Sequence, residues 1–226
     1  MSELIEPAAY LSHSTEGPTG AEAALRLYAA GNVPLAGHEP GTTDWVLYVP
    51  AGILDLTRLH LPRSLRKLLR KRPFEVTCDT AFDAVVEACA DPDRPGGWIT
   101  PEIHETARNL FDAGHAHSVE CWDADGLAGG LYGMTIGGLF IGESMFTRRD
   151  NAGKTAFAAL AAMLSEGGFA EIDTQMPSAN LMRYGAEALP PDAYQLRRAA
   201  AMDRPARWPA PTQPLDALDR LLAPDA

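Results

Sequence analysis

Gly142-Glu143-Ser144-Met145-Phe146 and, further on, Ile172-Asp173-Thr174-Gln175 are the runs on which the reading of this chain turns. Each has the composition of a strand, and each carries an acid where a half-buried strand usually has something less costly. Under strict alternation Leu139, Ile141, Glu143 and Met145 share one face, which sets Glu143 among apolar neighbours. By the same count Asp173 and Gln175 leave one face of the second strand, roughly 7 Å apart. A carboxylate in such surroundings is costly unless a partner or a ligand meets it. The plain alternative is a structural acid held by an amide or an arginine.

Working outward, strands at about 117–123, 127–136 and 138–146, joined by Asp125-Gly126 and Gly137-Gly138 turns, form an antiparallel meander. A helix over 153–166, with Phe157, Leu160, Ala161 and Leu164 inward, ends at Gly167-Gly168 and feeds the strand 171–176. Upstream, Thr100 caps a helix that has Pro101 first, Glu102 in its first turn and Gly114 at its end. A strand from Phe74 leads into a helix over 81–90. Before these, a helix over 21–30 and one strand over 45–54 make a small N-terminal unit, and the first twenty residues read as loosely ordered. A terminal helix spans 214–222. The pattern gives an α+β fold with a mostly antiparallel meander, divided into a small N-terminal domain (1–60), a main domain (61–200) and a C-terminal tail (201–226).

With 226 residues, 46% hydrophobic and 22% charged, the chain has the composition of a soluble globular protein with ample core. No run of about 18 apolar residues occurs, so no membrane span is expected. Cys78, Cys89 and Cys121 are odd in number and lack metal-ligand spacing, which with the acidic N-terminus points to the cytoplasm. A net charge of −11 argues against a general nucleic-acid binder. Yet residues 58–72 hold seven of the 19 lysines and arginines and no acid. Arg63, Arg66, Lys67 and Arg70 follow helical spacing on one face, with Leu61, Leu65, Leu68 and Leu69 opposite. A solvated face explains such a run; a patch for a phosphate backbone explains it as well. His115 and His117 lack a ligand set for a metal, and Ser118 and Ser144 lack the strand–turn–helix setting of a nucleophile elbow.

From Trp98-Ile99-Thr100 through Gly114-His115-Ala116-His117-Ser118-Val119-Glu120, Gly129-Gly130-Leu131-Tyr132-Gly133 and Gly142–Phe146 to Asn151-Ala152-Gly153-Lys154, the chain resembles the leucyl/phenylalanyl-tRNA–protein transferases. The resemblance covers roughly 58–194. It implies a Gcn5-related acetyltransferase-like domain with a mixed, mostly antiparallel sheet, and transfer of leucine, phenylalanine or methionine from aminoacyl-tRNA to an N-terminal arginine or lysine, a step of N-degron protein degradation. It makes Asp173 and Gln175 the catalytic pair, with Glu143 in the substrate pocket. Leu131, Phe140, Met145 and Ile172 would line the donor pocket, and Trp98 would pack on the terminal adenosine of the tRNA. Arg63, Arg66, Lys67, Arg70 and Lys71 would grip tRNA together with Lys154, where Asn151 opens a helix and explains itself equally as a cap.

The N-terminal region departs from the family: Leu35-Ala36 stands where an aromatic pair is expected, and Trp45-Val46 where two tryptophans are. The expectation is a cytoplasmic monomer, without metal or cofactor, whose partners are aminoacyl-tRNA and a protein with a basic N-terminal residue. The rivals are a transferase of the same fold with another acceptor, and a non-catalytic tRNA-binding protein.

Overall fold

In the computed structural model, residues 9–13 (backbone only), 20–39, 41–92, 97–209 and 214–223 are described. Two sheets organise them. The smaller is antiparallel, in the order β1 (Ala9–His13), β3 (Thr43–Val49), β2 (Val33–Ala36). So part of the N-terminal stretch expected to be loose is a strand; residues 1–8 and 14–19 lie outside the described residues. The strand expected over 45–54 is two. β3 stops at Val49, Pro50 interrupts the ladder because it has no N–H to give, and β4 (Ala51–Asp55) joins the larger sheet. Pro50 thus separates the last strand of the smaller sheet from the first of the larger.

The larger sheet has the order β10 (Glu187–Leu189), β4, β9 (Glu171–Gln175), β8 (Leu139–Thr147), β7 (Gly126–Ile136), β6 (Ala116–Asp123), β5 (Glu75–Cys78). Every neighbouring pair is antiparallel except β8 and β9, so the sheet is mixed. On one face lie α5 (Ala152–Glu166) and α8 (Pro214–Leu222), with Leu54, Leu65, Val119, Leu131, Phe140 and Ile172 in their shared core. On the other lie α3 (Phe82–Cys89) and α4 (Pro101–Asp112), packed with α1 (Ala21–Ala29) around Tyr28, Trp45, Tyr132 and Ile141.

α5 is buried on nearly every side, as a helix apolar all round must be. Its N-terminus sits so close to β7 that a Cβ on Gly129 would meet the Ala152 methyl at 2.6 Å. α4 is capped as its sequence requires, the Ile103 N–H donating to Thr100 Oγ1 at 3.3 Å. α2 (Arg63–Leu69) buries Leu65 and Leu69, as the leucine spacing predicts. The helices α6 (Ala179–Met182) and α7 (Pro191–Met202) follow β9, and α7 closes over β4, β8 and β9.

Candidate functional site

Alternation fails at Glu143. Along β8 and β7, Gly142 faces Gly133 and Ser144 faces Tyr132, so Glu143 is an extra residue without a partner, a β-bulge. The bulge reverses the parity of the strand. Leu139 and Ile141 enter the core shared with Tyr132, but beyond the bulge Phe146 takes that side. Met145 turns toward α5, where a Cβ on Gly153 would lie 3.1 Å from its sulfur. The expected common face of Leu139, Ile141, Glu143 and Met145 is therefore corrected at its far end: Glu143 stays on the Tyr28 side with Leu139 and Ile141, and the inserted residue turns Met145 away.

Beside the bulge, β8 and β9 pair over three registers only, Leu139↔Glu171, Phe140↔Ile172 and Ile141↔Asp173. Past them the ladder ends, and the Gln175 amide bridges the two chains. Its Nε2 donates to Gly142 O at 2.9 Å and to Glu143 Oε1 at 3.0 Å. Gln175 does this from a left-handed backbone, φ 57°, so it does not simply repeat the facing of Asp173 as alternation predicts. Its N–H donates to Asp173 Oδ1 at 2.8 Å.

Asp173 is 0% exposed and faces α7. Its Oδ2 accepts from the Tyr194 hydroxyl at 2.7 Å and forms an ion pair with Arg198. Arg198 is buried too, donates to the Tyr28 carbonyl, and reaches the Tyr194 hydroxyl at 3.2 Å. Burial pulls the guanidinium down to about 10 and pushes the Tyr194 phenol up. Glu143 differs. Its Oε2 is buried without a hydrogen-bond partner. Burial pushes its carboxyl up to about 8, although the Tyr28 hydroxyl and Gln175 draw it back. The unfolded chain ionises this group near 4.5 and the folded chain only near 8, so Glu143 lowers stability as pH rises across that window.

The structure brings Asp173, Gln175 and Glu143 into one cluster. Leu131, Phe140 and Ile172 lie together in the core beneath α5, and Met145, 36% exposed, stands toward solvent. Trp98 is half-buried just ahead of α4, next to Ile99, which packs on the Tyr28–Trp45 side. Sequence reasoning missed Tyr28, Tyr194 and Arg198. The one available signal was an arginine one turn beyond a tyrosine, on the face of α7 that also buries Ala201.

The cations divide. Arg63, Lys67 and Lys71 are exposed and Arg66 is half-buried. Arg70 instead donates to Leu222 O at 3.0 Å, at the end of α8, and the neighbouring Arg72 pairs with Asp219. Lys154 donates to Asn151 Oδ1 at 3.2 Å, and Asn151 makes no side-chain cap to α5. Between α2, α5 and α6 lies a cleft of about 330 Å³ that adds Arg183, a cation the sequence reading passed over, to Lys154.

The family profile described as "Leucyl/phenylalanyl-tRNA protein transferase" matches residues 53–199. A protein of that name from Salinibacter ruber is 43% identical over 186 residues, covering 82% of this chain and 81% of its own length. Its counterpart in Paramagnetospirillum magneticum is 44% identical, covering 82% and 90%. That of Rhodospirillum rubrum is 45% identical, covering 80% and 86%. Among solved structures, L-PGS from Bacillus licheniformis superposes with a TM-score of 0.40 at 11% identity, over 68% of this chain and 49% of that one, too loosely to bear on function. Matched by its profile across the site-bearing strands and by relatives over most of their length, this chain belongs to the leucyl/phenylalanyl-tRNA–protein transferase family.

Proposed function

We propose that the protein moves a leucyl, phenylalanyl or methionyl group from tRNA to the α-amine of a protein that begins with arginine or lysine, forming a peptide bond. The observation that carries this is the Gln175 amide, held between Gly142 O and Glu143 where β8 and β9 part. An amide fixed at a strand gap, flanked by two buried acids, suits an incoming amine that must be oriented and then lose a proton. The short parallel pair with a bulge beside it supports the acetyltransferase-like reading of the sheet. Asp173, Gln175 and Glu143 form the reacting centre, Leu131, Phe140, Met145 and Ile172 receive the donor side chain, and Trp98 meets the tRNA end. The setting we assign is a cytoplasmic monomer acting in N-degron protein degradation.

Incubation with a panel of charged tRNAs and N-terminally varied peptides tests the reading. Apolar donors should differ among themselves by only about 1–3 kcal/mol in transition-state binding, and charged donors should be rejected by more. Peptides starting with arginine or lysine should outcompete those starting with glutamate. Preference for an aspartyl or glutamyl donor would remove the pocket assignment and favour a different acceptor.

The tRNA surface we assign comprises Arg63, Arg66, Lys67, Lys71 and Lys154, with Arg70 contributing less because Leu222 O holds it. Replacing Lys67 and Lys154 by glutamine should flatten the salt dependence of tRNA binding by about 0.7–0.9 log units of slope for each phosphate that is no longer neutralised. An unchanged slope in filter-binding titrations would place the tRNA elsewhere.

A further inference from the structure

Resting on the transferase reading, we infer that Glu143 takes the proton from the attacking amine, and that Asp173 is a positioning residue held by Tyr194 and Arg198. The resemblance of the sequence points the other way, to Asp173 as the group that accepts or relays charge. The hydrogen bonds decide between the two acids.

Asp173 is engaged by the protein at both of its oxygens. Oδ1 is occupied by the Gln175 N–H, and Oδ2 by the Tyr194 hydroxyl and the Arg198 guanidinium. The residue is 0% exposed and the cation beside it is equally buried, so both oxygens are engaged by the protein and three of the carboxylate's roughly four accepting positions are filled. What Asp173 does fix is the backbone of Gln175: its Oδ1 anchors the N–H of the one residue on β9 in the left-handed region. Tyr194 and Arg198 in turn fix Asp173, and Arg198 ties the assembly to α1 through the Tyr28 carbonyl.

Glu143 has the complementary character. One oxygen is clamped by the Gln175 amide, which sets the plane of the carboxyl. The other is buried with no partner within hydrogen-bond geometry, although the Tyr28 hydroxyl lies against the same carboxyl. A buried polar atom left so in a folded protein is costly, and a substrate N–H supplies the missing partner. The titratable groups around it are the Tyr28 hydroxyl from α1, Tyr132 from β7 acting on that hydroxyl, and, on the far side of Gln175, the Asp173–Tyr194–Arg198 cluster of β9 and α7. With its ionisation raised to about 8, the carboxylate is a far better proton acceptor than an ordinary one and remains ionisable near neutral pH.

The unprotonated α-amine, held by Gln175 and Glu143, attacks the aminoacyl carbonyl and the N–C bond forms. The nitrogen of the adduct yields a proton to Glu143 Oε2. The C–O bond to the ribose of the tRNA breaks, and the departing ribose oxygen takes that proton. Glu143 returns to the carboxylate, and the products are the extended peptide and deacylated tRNA.

The test uses a peptide acceptor whose N-terminal nitrogen is an aminooxy group, unprotonated throughout the neutral range, so that titration of the acceptor adds nothing to the profile. With wild-type protein, kcat/KM should rise with pH through a limb centred near 8. In Glu143→Gln the limb should vanish and kcat should fall about 10²–10⁴-fold with KM changed far less. Tyr194→Phe, which loosens Asp173 but leaves its pairing with Arg198, should lower kcat by about tenfold while the limb stays in place. A Glu143→Gln protein that keeps the limb, or that raises KM with kcat intact, overturns the assignment and makes Glu143 an acceptor-binding group. Loss or displacement of the limb in Tyr194→Phe returns the proton to Asp173. Absence of transfer by wild-type protein from every charged tRNA overturns the transferase reading itself, an outcome distinct from these.

Discussion

Arg198→Leu is expected to lower the unfolding free energy by about 3–5 kcal/mol. Arg198 is fully buried, pairs with the fully buried Asp173, and donates to the Tyr28 carbonyl. Without the guanidinium, Asp173 keeps only the Tyr194 hydroxyl and the Gln175 N–H in a site closed to water, and Tyr28 O loses its donor. The loss measures an abandoned charge rather than the worth of the pair. Accordingly Asp173→Leu combined with Arg198→Leu should be less destabilised than the sum of the two single variants. Urea titrations of the four proteins close the cycle. A single-variant loss under about 1 kcal/mol, or strict additivity, would show that the two charges do not depend on each other. For the same reason Asp173→Ala should cost stability as well as turnover, contrary to the expectation of an intact fold that a purely catalytic acid would raise.

Leu218→Ala should cost about 2–5 kcal/mol, whereas Arg72→Gln should cost less than about 1. α8 lies across α5 and β5 with Ala217, Leu218 and Leu222 buried, and around it run the pairs Arg72–Asp219 and Arg220–Glu166 and the Arg70 bond to Leu222 O. The ion pairs stand half in solvent, where Coulomb attraction is weak and holding two long side chains offsets most of it. The leucine fills a closed space that cannot fully collapse when emptied. Thermal unfolding of the two variants side by side decides the ranking. If Arg72→Gln proves the costlier change, the tail is held by charge and the packing of α8 on α5 is incidental.

These cases mark what the amino-acid order revealed. The meander, α4 with its Thr100 cap, α5 and α8 were legible because each obeys a local rule: a turn dipeptide, a capping residue, a helical stripe. The acids of the candidate cluster stood out as carboxylates in apolar strands. The geometry of the cluster was not legible. A bulge adds one residue to one strand, and hydrophobic composition reads the same with or without it, so the sides on which Met145 and Phe146 emerge were hidden. The partners of Asp173 come from α7, a helix whose pattern names its buried face but not the strand it will cover. Arg70 and Arg72 looked like their neighbours until the distant tail folded onto them. The break at Pro50, the short strand β2 and helix α7 were local and overlooked.

Gln175 keeps its backbone at φ 57°, an arrangement that costs a residue other than glycine about 1–3 kcal/mol. Glycine would rest there without strain, and asparagine with less of it. Neither, however, would span the gap with the two hydrogen bonds that the longer amide gives to Gly142 O and Glu143 Oε1, and a buried acceptor left without its donor costs about as much as the strain relieved. Relaxing this torsion by substitution should therefore bring little gain in heat resistance while opening the seam between the two strands. The strain is the cost of a clasp, held in a single torsion angle.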